Sequence, residues 1–217
     1  FLWVFLDGED VGAVPISSMV DTEQGRRGIV DMVWHHPKAD VRVRFLALAG
    51  DDALYTEIAL EPTAPLESLV VRLCCYPSFF TSHHRRRGAR RVQTPAALVK
   101  EGEKATLPAG ENGWAAYYDE VFDVARGEGH GPCAMAYLPD GARTIRHEPT
   151  DYPVTSHITF DPGIRTVRLA LWDFREQANS TVLEAMPTKA NAALNALMQM
   201  DFTPTAIAEF DPKPLRN

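Results

Sequence analysis

The chain has 217 residues and a formal net charge of −7 at pH 7, with 45% hydrophobic and 24% charged residues. This composition is that of an ordinary globular protein, and no apolar run approaches the roughly 20 residues that a membrane helix needs. The negative charge disfavours general nucleic-acid binding. We therefore expect a single domain over residues 1–217, without a membrane span and without a nucleic-acid partner.

The first residue and the cysteines bear on processing and location. The chain begins with Phe1 rather than Met, so we expect a processed product, and both a cytoplasmic location and export with loss of a signal peptide remain open. Two of the three cysteines, Cys74 and Cys75, are neighbours. Because adjacent side chains on a strand point to opposite faces, we expect reduced thiols rather than a disulfide between them.

Alternation of apolar and polar residues predicts most of the secondary structure. It is clearest over residues 154–160, where even positions are mostly apolar and odd positions polar, as in a half-buried strand. The same test predicts strands at 1–6, 27–34, 41–49, 54–60, 67–76, 118–124, 132–138 and 167–171. Short turn signals such as Asp7-Gly8 separate these segments and leave no room for parallel crossovers. The pattern predicts a mainly β, antiparallel sandwich.

Helical periodicity is clear only near the C-terminus, where Ala190, Ala193, Leu194 and Leu197 share one face. Proline suits the first turn of a helix, so Pro187 predicts a start close to it. We expect one principal helix at about 188–200, covering an edge or end of a sheet.

A basic, aromatic-edged segment stands out in this acidic chain. Residues 83–91 contain five arginines and two histidines, just after a predicted strand. We expect a long loop over about 77–113, with a short turn of helix at 96–100. Guanidinium groups match oxyanions, which favours an anionic ligand here, and a solvated loop is the alternative. The candidate ligand-binding residues of this segment are His83, His84, Arg85 and Arg87.

A second candidate group lies at other predicted strand ends. Trp34 and His36 close one strand, and Tyr118 lies on another, beside the carboxylate of Asp119. We expect Trp34, His36 and Tyr118 to contribute to ligand binding, through aromatic stacking and hydrogen bonds. The histidine spacings lack the pattern of a zinc site, and no nucleophile elbow or glycine-rich phosphate loop is present. The sequence predicts neither a metal nor a cofactor.

The strand pattern resembles that of galactose-mutarotase-like sandwiches. Residues 55–61 and 69–76 carry the resemblance, as long antiparallel strands that follow each other, and they indicate a supersandwich-like fold. The resemblance implies a sugar-binding groove on one sheet, and in the enzymes of the group a histidine acid and a carboxylate base. No residue of this chain is matched to that pair.

These observations give three functional hypotheses. The first is carbohydrate recognition in a groove of the sandwich, with the basic segment favouring an acidic or modified sugar or another anionic small molecule. The second is a non-catalytic structural or protein-interaction domain that meets an acidic protein partner. The third is a sugar epimerase or lyase, which requires a carboxylate or histidine in the groove.

Overall fold

The computed structural model describes residues 1–77, 88–120, 132–174 and 177–204. It confirms the predicted class, since two antiparallel sheets and one C-terminal helix account for nearly all regular structure in these ranges. Within them, no helix is both long and apolar enough to cross a membrane, and no group of three or more His, Cys, Asp or Glu side chains is arranged to hold a metal ion.

The strands, numbered in chain order, form one six-stranded and one nine-stranded sheet. Sheet A has the spatial order β10 (Ala105–Pro108), β13 (Ala142–Pro149), β14 (Val154–Phe160), β7 (Leu69–Cys75), β1 (Leu2–Leu6) and β2 (Glu9–Asp10). Sheet B has the order β3 (Ser18–Gln24), β4 (Arg27–His36), β5 (Ala39–Leu48), β6 (Leu54–Pro62), β15 (Thr166–Asp173), β12 (Cys133–Tyr137), β11 (Trp114–Asp119), β8 (Arg90–Gln93) and β9 (Leu98–Lys100). The single α-helix, α1, spans Asn179–Gln199.

Two hydrophobic cores follow from the alternation of side chains along these strands. The first lies between the sheets, where Val71 and Ile158 of sheet A join Ile58 and Leu169 of sheet B in one fully buried cluster. The second lies on the opposite face of sheet B, where α1 covers part of β11, β12 and β15. Where α1 packs, the strands of sheet B are therefore apolar on both faces.

Helix α1 begins at Asn179, well before the predicted start at 188. Pro187 lies inside the helix rather than in its first turn, which removes one backbone hydrogen bond. The helix continues through it because Val182 and Met186 extend the buried stripe toward the N-terminus and pack against sheet B. Burial of this stripe outweighs the local cost of the proline.

The predicted excursion at 77–113 contains more regular structure than the sequence suggested. Its described part holds β8, β9 and β10, and residues 98–100 of the predicted helical turn form β9. Val92 of β8 and Val99 of β9 are buried in the first core, so these short strands extend sheet B at its edge. The strand predicted at 118–124 overlaps β11 only at residues 118–119, because β11 begins at Trp114 and ends at Asp119, and residues 121–124 lie outside the described ranges.

A polar cluster is enclosed in the first core. The Ser156 hydroxyl lies 2.8 Å from Nδ1 of His147 and 2.9 Å from the Tyr117 hydroxyl. His147 is fully buried, and its Nε2 atom has no hydrogen-bond partner. Burial lowers the pKa of His147 from 6.5 to about 4, so the folded protein keeps this imidazole neutral.

We expect the free energy of unfolding to fall as the pH drops from 6.5 toward 4. In that window the unfolded chain protonates His147 and the folded chain does not, so the slope approaches about 1.4 kcal/mol per pH unit. Urea unfolding at several pH values measures the effect. His147→Gln should remove most of this slope, and an equal loss of stability in parent and variant would contradict the assignment.

Candidate functional site

The part of the outer face of sheet B that α1 leaves open carries polar side chains in register across adjacent strands. One row, which we call the lowest row, pairs Asp31 of β4 with Arg44 of β5, Arg44 with Glu57 of β6, and Glu57 with Arg168 of β15. Two further rows, the upper rows, follow it along the strands in the direction from Asp31 to His35 of β4. We call the three rows the polar face: Asp31, Arg44, Glu57 and Arg168; Val33, Arg42 and Ala59; His35, Asp40 and Glu61.

The lowest row is a chain of alternating charges that stabilise one another. Nε of Arg44 lies 3.3 Å from Oδ2 of Asp31, and its NH1 donates to Oε1 of Glu57 at 3.0 Å. Arg168 donates from Nε and NH2 to Oε2 of Glu57, at 3.0 and 2.7 Å. These charges are largely buried, and their mutual pairing offsets the cost of removing them from water.

The two upper rows surround a cavity of about 360 Å³. Its lining includes Arg42, Glu61 and the pair His35 and Asp40, with the small apolar side chain of Ala59 between the charges. Nδ1 of His35 lies 2.8 Å from Oδ1 of Asp40. This contact leaves the other ring nitrogen of His35 for a ligand or for water.

Two charged groups of this cavity are available for a ligand. Nε of Arg42 forms an ion pair with Oδ1 of Asp31 at 3.3 Å, and about half of the Arg42 side chain is exposed. Among the described residues, no protein acceptor binds its two terminal nitrogens, and no cation pairs with Glu61. A donor fork, a free carboxylate and an imidazole therefore meet at one concave surface.

Two of the predicted ligand-binding residues lie on the opposite face of β4. Trp34 packs against the first core and lines an apolar cavity of about 250 Å³ together with Leu2 and Phe45. His36 is buried, with its Nδ1 accepting from the Lys38 amide at 3.3 Å and its Nε2 3.7 Å from Oε2 of Glu9. Their placement separates them from the polar face by the thickness of sheet B.

The structure does not place the remaining predicted ligand-binding residues next to Trp34 and His36. Tyr118 lies on the outer face of β11, in register with Arg91, and four strands separate β11 from β4. Tyr118 is buried rather than presented in a groove. The other four candidates fall outside the described residues: His83, His84, Arg85 and Arg87.

Two arginines of the basic segment do lie in the described ranges, and both are paired. Arg90 is fully buried, donates from Nε to Oδ1 of Asp119 at 3.0 Å, and also donates to the backbone carbonyls of Pro77 and Tyr152. Arg91 pairs with Glu120 at 2.6 Å. Arg90 is thus a structural cation, and Asp119, the neighbour of Tyr118 in the sequence, is its buried partner.

The sequence interpretation missed the residues of the polar face. Arg42 and Arg44 alternate with buried valines within the strand predicted at 41–49, and Asp40 directly precedes it, so the alternation places all three on one face. The missing information was the pairing of β5 with β4 and β6, which brings Asp31 and Glu57 to the same surface. A search for charged residues on the polar sides of the predicted strands would have found them.

Comparison with known proteins yields a likeness of architecture. No protein-family model and no curated protein matches the chain. A Klebsiella pneumoniae protein described as an aldose 1-epimerase is 10% identical, with a TM-score of 0.47 over 86% of this chain. A similarly described protein from Escherichia coli is 10% identical, with a TM-score of 0.42 over 72%. The α-galactosidase AgaA from Geobacillus stearothermophilus is 9% identical, with a TM-score of 0.41 over 80%.

This chain spans 60% of the length of the Klebsiella protein, 68% of the Escherichia coli protein and 30% of the galactosidase. The matches agree with the weak, architecture-level resemblance to galactose-mutarotase-like sandwiches that the strand pattern indicates. At this level of similarity the likeness concerns the arrangement of strands.

We expect Asp119→Ala to lower the free energy of unfolding by about 3–5 kcal/mol, because it leaves Arg90 buried without its counter-charge. Glu120→Ala is the matched control, since it removes the neighbouring carboxylate of a partly exposed pair and should cost less than about 1 kcal/mol. Denaturant unfolding of both variants measures the difference. Equal costs would show that the Arg90 pair is not a structural anchor.

Proposed function

We propose that the polar face binds a carbohydrate in the cavity beside Arg42. The observation that carries the proposal is the convergence of a guanidinium with two unbound terminal nitrogens, an unpaired carboxylate and an imidazole at one concavity. Its volume lies within the range of about 300–1,000 Å³ that is usual for small-molecule sites. A ring-sized polar ligand fits that volume.

The mixture of polar groups favours a hydroxyl-rich ligand. Arg42 can only donate hydrogen bonds, an ionised Glu61 can only accept them, and His35 can do either. A sugar hydroxyl both donates and accepts, so neighbouring hydroxyls of one ring can satisfy all three groups. A simple cation or a simple anion would be attracted by one charge and repelled by the other.

An acidic sugar satisfies this arrangement with the fewest unpaired groups. Its carboxylate accepts two parallel hydrogen bonds from the terminal nitrogens of Arg42, and its hydroxyls meet Glu61 and His35. The apolar patch of Val33 and Ala59 lies between these charges and suits the C–H surface of a sugar ring. The contribution of His83, His84, Arg85 and Arg87 stays a prediction, because those residues lie outside the described ranges.

We expect Arg42→Gln to weaken binding of a uronic acid at least about tenfold, because a hydrogen bond to a charged group is worth roughly 1.5–3 kcal/mol. Titration calorimetry with glucuronate and galacturonate, beside the neutral parent sugars, measures the affinity. Arg143→Gln is the matched control, because Arg143 is an exposed arginine on sheet A that pairs with Asp161. It should bind as the parent does.

The same titrations separate sugar binding from a protein-interaction domain. A bound sugar stabilises the folded chain by mass action and raises its melting temperature. If neither acidic nor neutral sugars shift the melting temperature, or if Arg42→Gln binds as tightly as the parent, the proposal is wrong. The interaction with an acidic protein partner then becomes the leading hypothesis.

Sugar epimerase or lyase activity is the second candidate, and the contact between His35 and Asp40 favours it. Asp40 accepts the Nδ1 proton and so directs Nε2 of His35 toward the cavity. Glu61, on the neighbouring strand β6 and in register with Asp40, supplies a carboxylate as the complementary base or acid. Two titratable groups at one cavity are the minimum for proton transfer to and from a ring.

We expect any such activity to fall by about 10²–10⁴-fold in Glu61→Gln, because a positioned acid or base contributes that much to a proton transfer. Nuclear magnetic resonance detects both outcomes, as exchange between sugar anomers or as an unsaturated product. His35→Gln should lose activity as well. Binding that persists in both variants without turnover in the parent would leave carbohydrate recognition as the function and exclude the enzyme for the sugars tested.

A further inference from the structure

The outer face of sheet A carries a row of cationic and aromatic side chains on four adjacent strands. In register, Trp3 of β1 faces Arg72 of β7, Arg72 faces His157 of β14, and His157 faces Arg146 of β13. We call these four residues the cationic row. It lies on the opposite surface of the sandwich from the polar face, and it belongs to a protein whose overall charge is negative.

Arg72 is distinctive because its charge has no oxygen partner. Among the arginines in the described ranges, it is the one without a carboxylate or carbonyl oxygen bound to its guanidinium. That group lies over Trp3 and Phe5, at 4.3 and 4.9 Å from the ring centroids. These cation–π contacts satisfy none of the N–H donors of the guanidinium group, which need acceptor atoms.

One of the in-plane donors of Arg72 is already removed from water. Its Nε atom is buried and has no hydrogen-bond partner. A buried donor without an acceptor costs roughly 1–3 kcal/mol, and more for a charged group. The free protein therefore carries an unmet donor that an incoming acceptor atom would satisfy.

The neighbouring groups add donors rather than an acceptor for Arg72. Arg146 donates from NH2 to Nδ1 of His157 at 3.3 Å, which leaves the imidazole proton on Nε2. Glu148 is engaged by Nε of Arg146 at 2.8 Å and by Lys104 at 3.1 Å. The carboxylate of Glu148 is thus already paired with two cations.

We propose that the cationic row binds a sulfate or phosphate group, held by Arg72, His157 and Arg146. Strands are about 4.8 Å apart, so two arginines on either side of His157 can converge on a single anion above it. A tetrahedral oxyanion accepts from the in-plane nitrogens of Arg72, from Nε2–H of His157 and from Arg146. Trp3 supplies an apolar surface beside the anion, against which a sugar ring that carries the sulfate or phosphate group can pack.

The state of His157 supports this assignment. Burial lowers its pKa below 6.5, and the charges of Arg146 and Arg72 lower it further, against the opposing effect of Glu148. Lys104 also contributes to the lowering. An anion bound at the centre of the row reverses the electrostatic part of this effect, so binding and protonation of His157 become linked.

Histidine nuclear magnetic resonance during a pH titration tests the proposal directly. Sodium sulfate, compared with sodium chloride at the same ionic strength, should raise the pKa of His157 and leave the spectrum of His35 on sheet B unchanged. Arg72→Gln and Arg146→Gln should each weaken sulfate binding at least about tenfold. Arg42→Gln should keep it, because this site is independent of the proposed carbohydrate site.

The source of the anion is resolved by comparing inorganic sulfate with galactose 6-sulfate and neutral galactose. Tighter binding of the sugar sulfate than of both others assigns the row to a sulfated or phosphorylated sugar, and equal binding of the two sulfates assigns it to the free anion. A response to sulfate no larger than that to chloride overturns the proposal. If Arg72→Gln does not fold, Arg146→Gln decides: lost binding supports the site, and unchanged binding overturns it.

Discussion

The fold depends on how the two faces of the nine-stranded sheet B are buried. The elements that cover them, sheet A and helix α1, differ in size. Sheet A has six strands and covers one face, and a helix of 21 residues covers only part of the other. Strands β11, β12 and β15 are apolar on both sides where α1 packs on them. Strands β4 to β6 extend that apolar surface at one end, through Ile29, Leu46 and Tyr55, and carry the polar rows over the rest of the face. The polar face is thus the surface that the helix leaves open.

Charge in this protein has different roles that depend on burial and pairing. Arg90 and Arg42 are both arginines on strands of sheet B, but Arg90 is fully enclosed with Asp119 and Arg42 keeps its terminal nitrogens for other molecules. Arg72 represents a third case, with its guanidinium group over aromatic rings and its buried Nε without an acceptor. A cluster of basic residues in a sequence therefore does not by itself identify an anion-binding site.

The limits of prediction from the sequence follow from the same distinction. The alternation of apolar and polar residues indicates which side of a strand is buried, and it was sufficient to predict the sandwich class and most of the strands. It carries no information on which strands become neighbours, so the convergence of Arg42 with Glu61 could not be foreseen. Local rules also misplaced the start of α1, since packing of Met186 on sheet B outweighs the preference of Pro187 for a first turn.

Arg168 connects the lowest row of the polar face with the end of α1. Its Nε and NH2 bind Glu57 in that row, its NH1 donates to the carbonyl of Leu197 in the last turn of α1, and its Cζ atom lies 5.4 Å from the ring centroid of Phe202. Because the last carbonyls of a helix need donors, this arginine caps α1 from the sheet. If a ligand at the polar face changed the charge around Glu57, it would also change the stability of the last turn of a helix that it does not touch, and thermodynamic reciprocity would then require that turn to influence the affinity for the ligand.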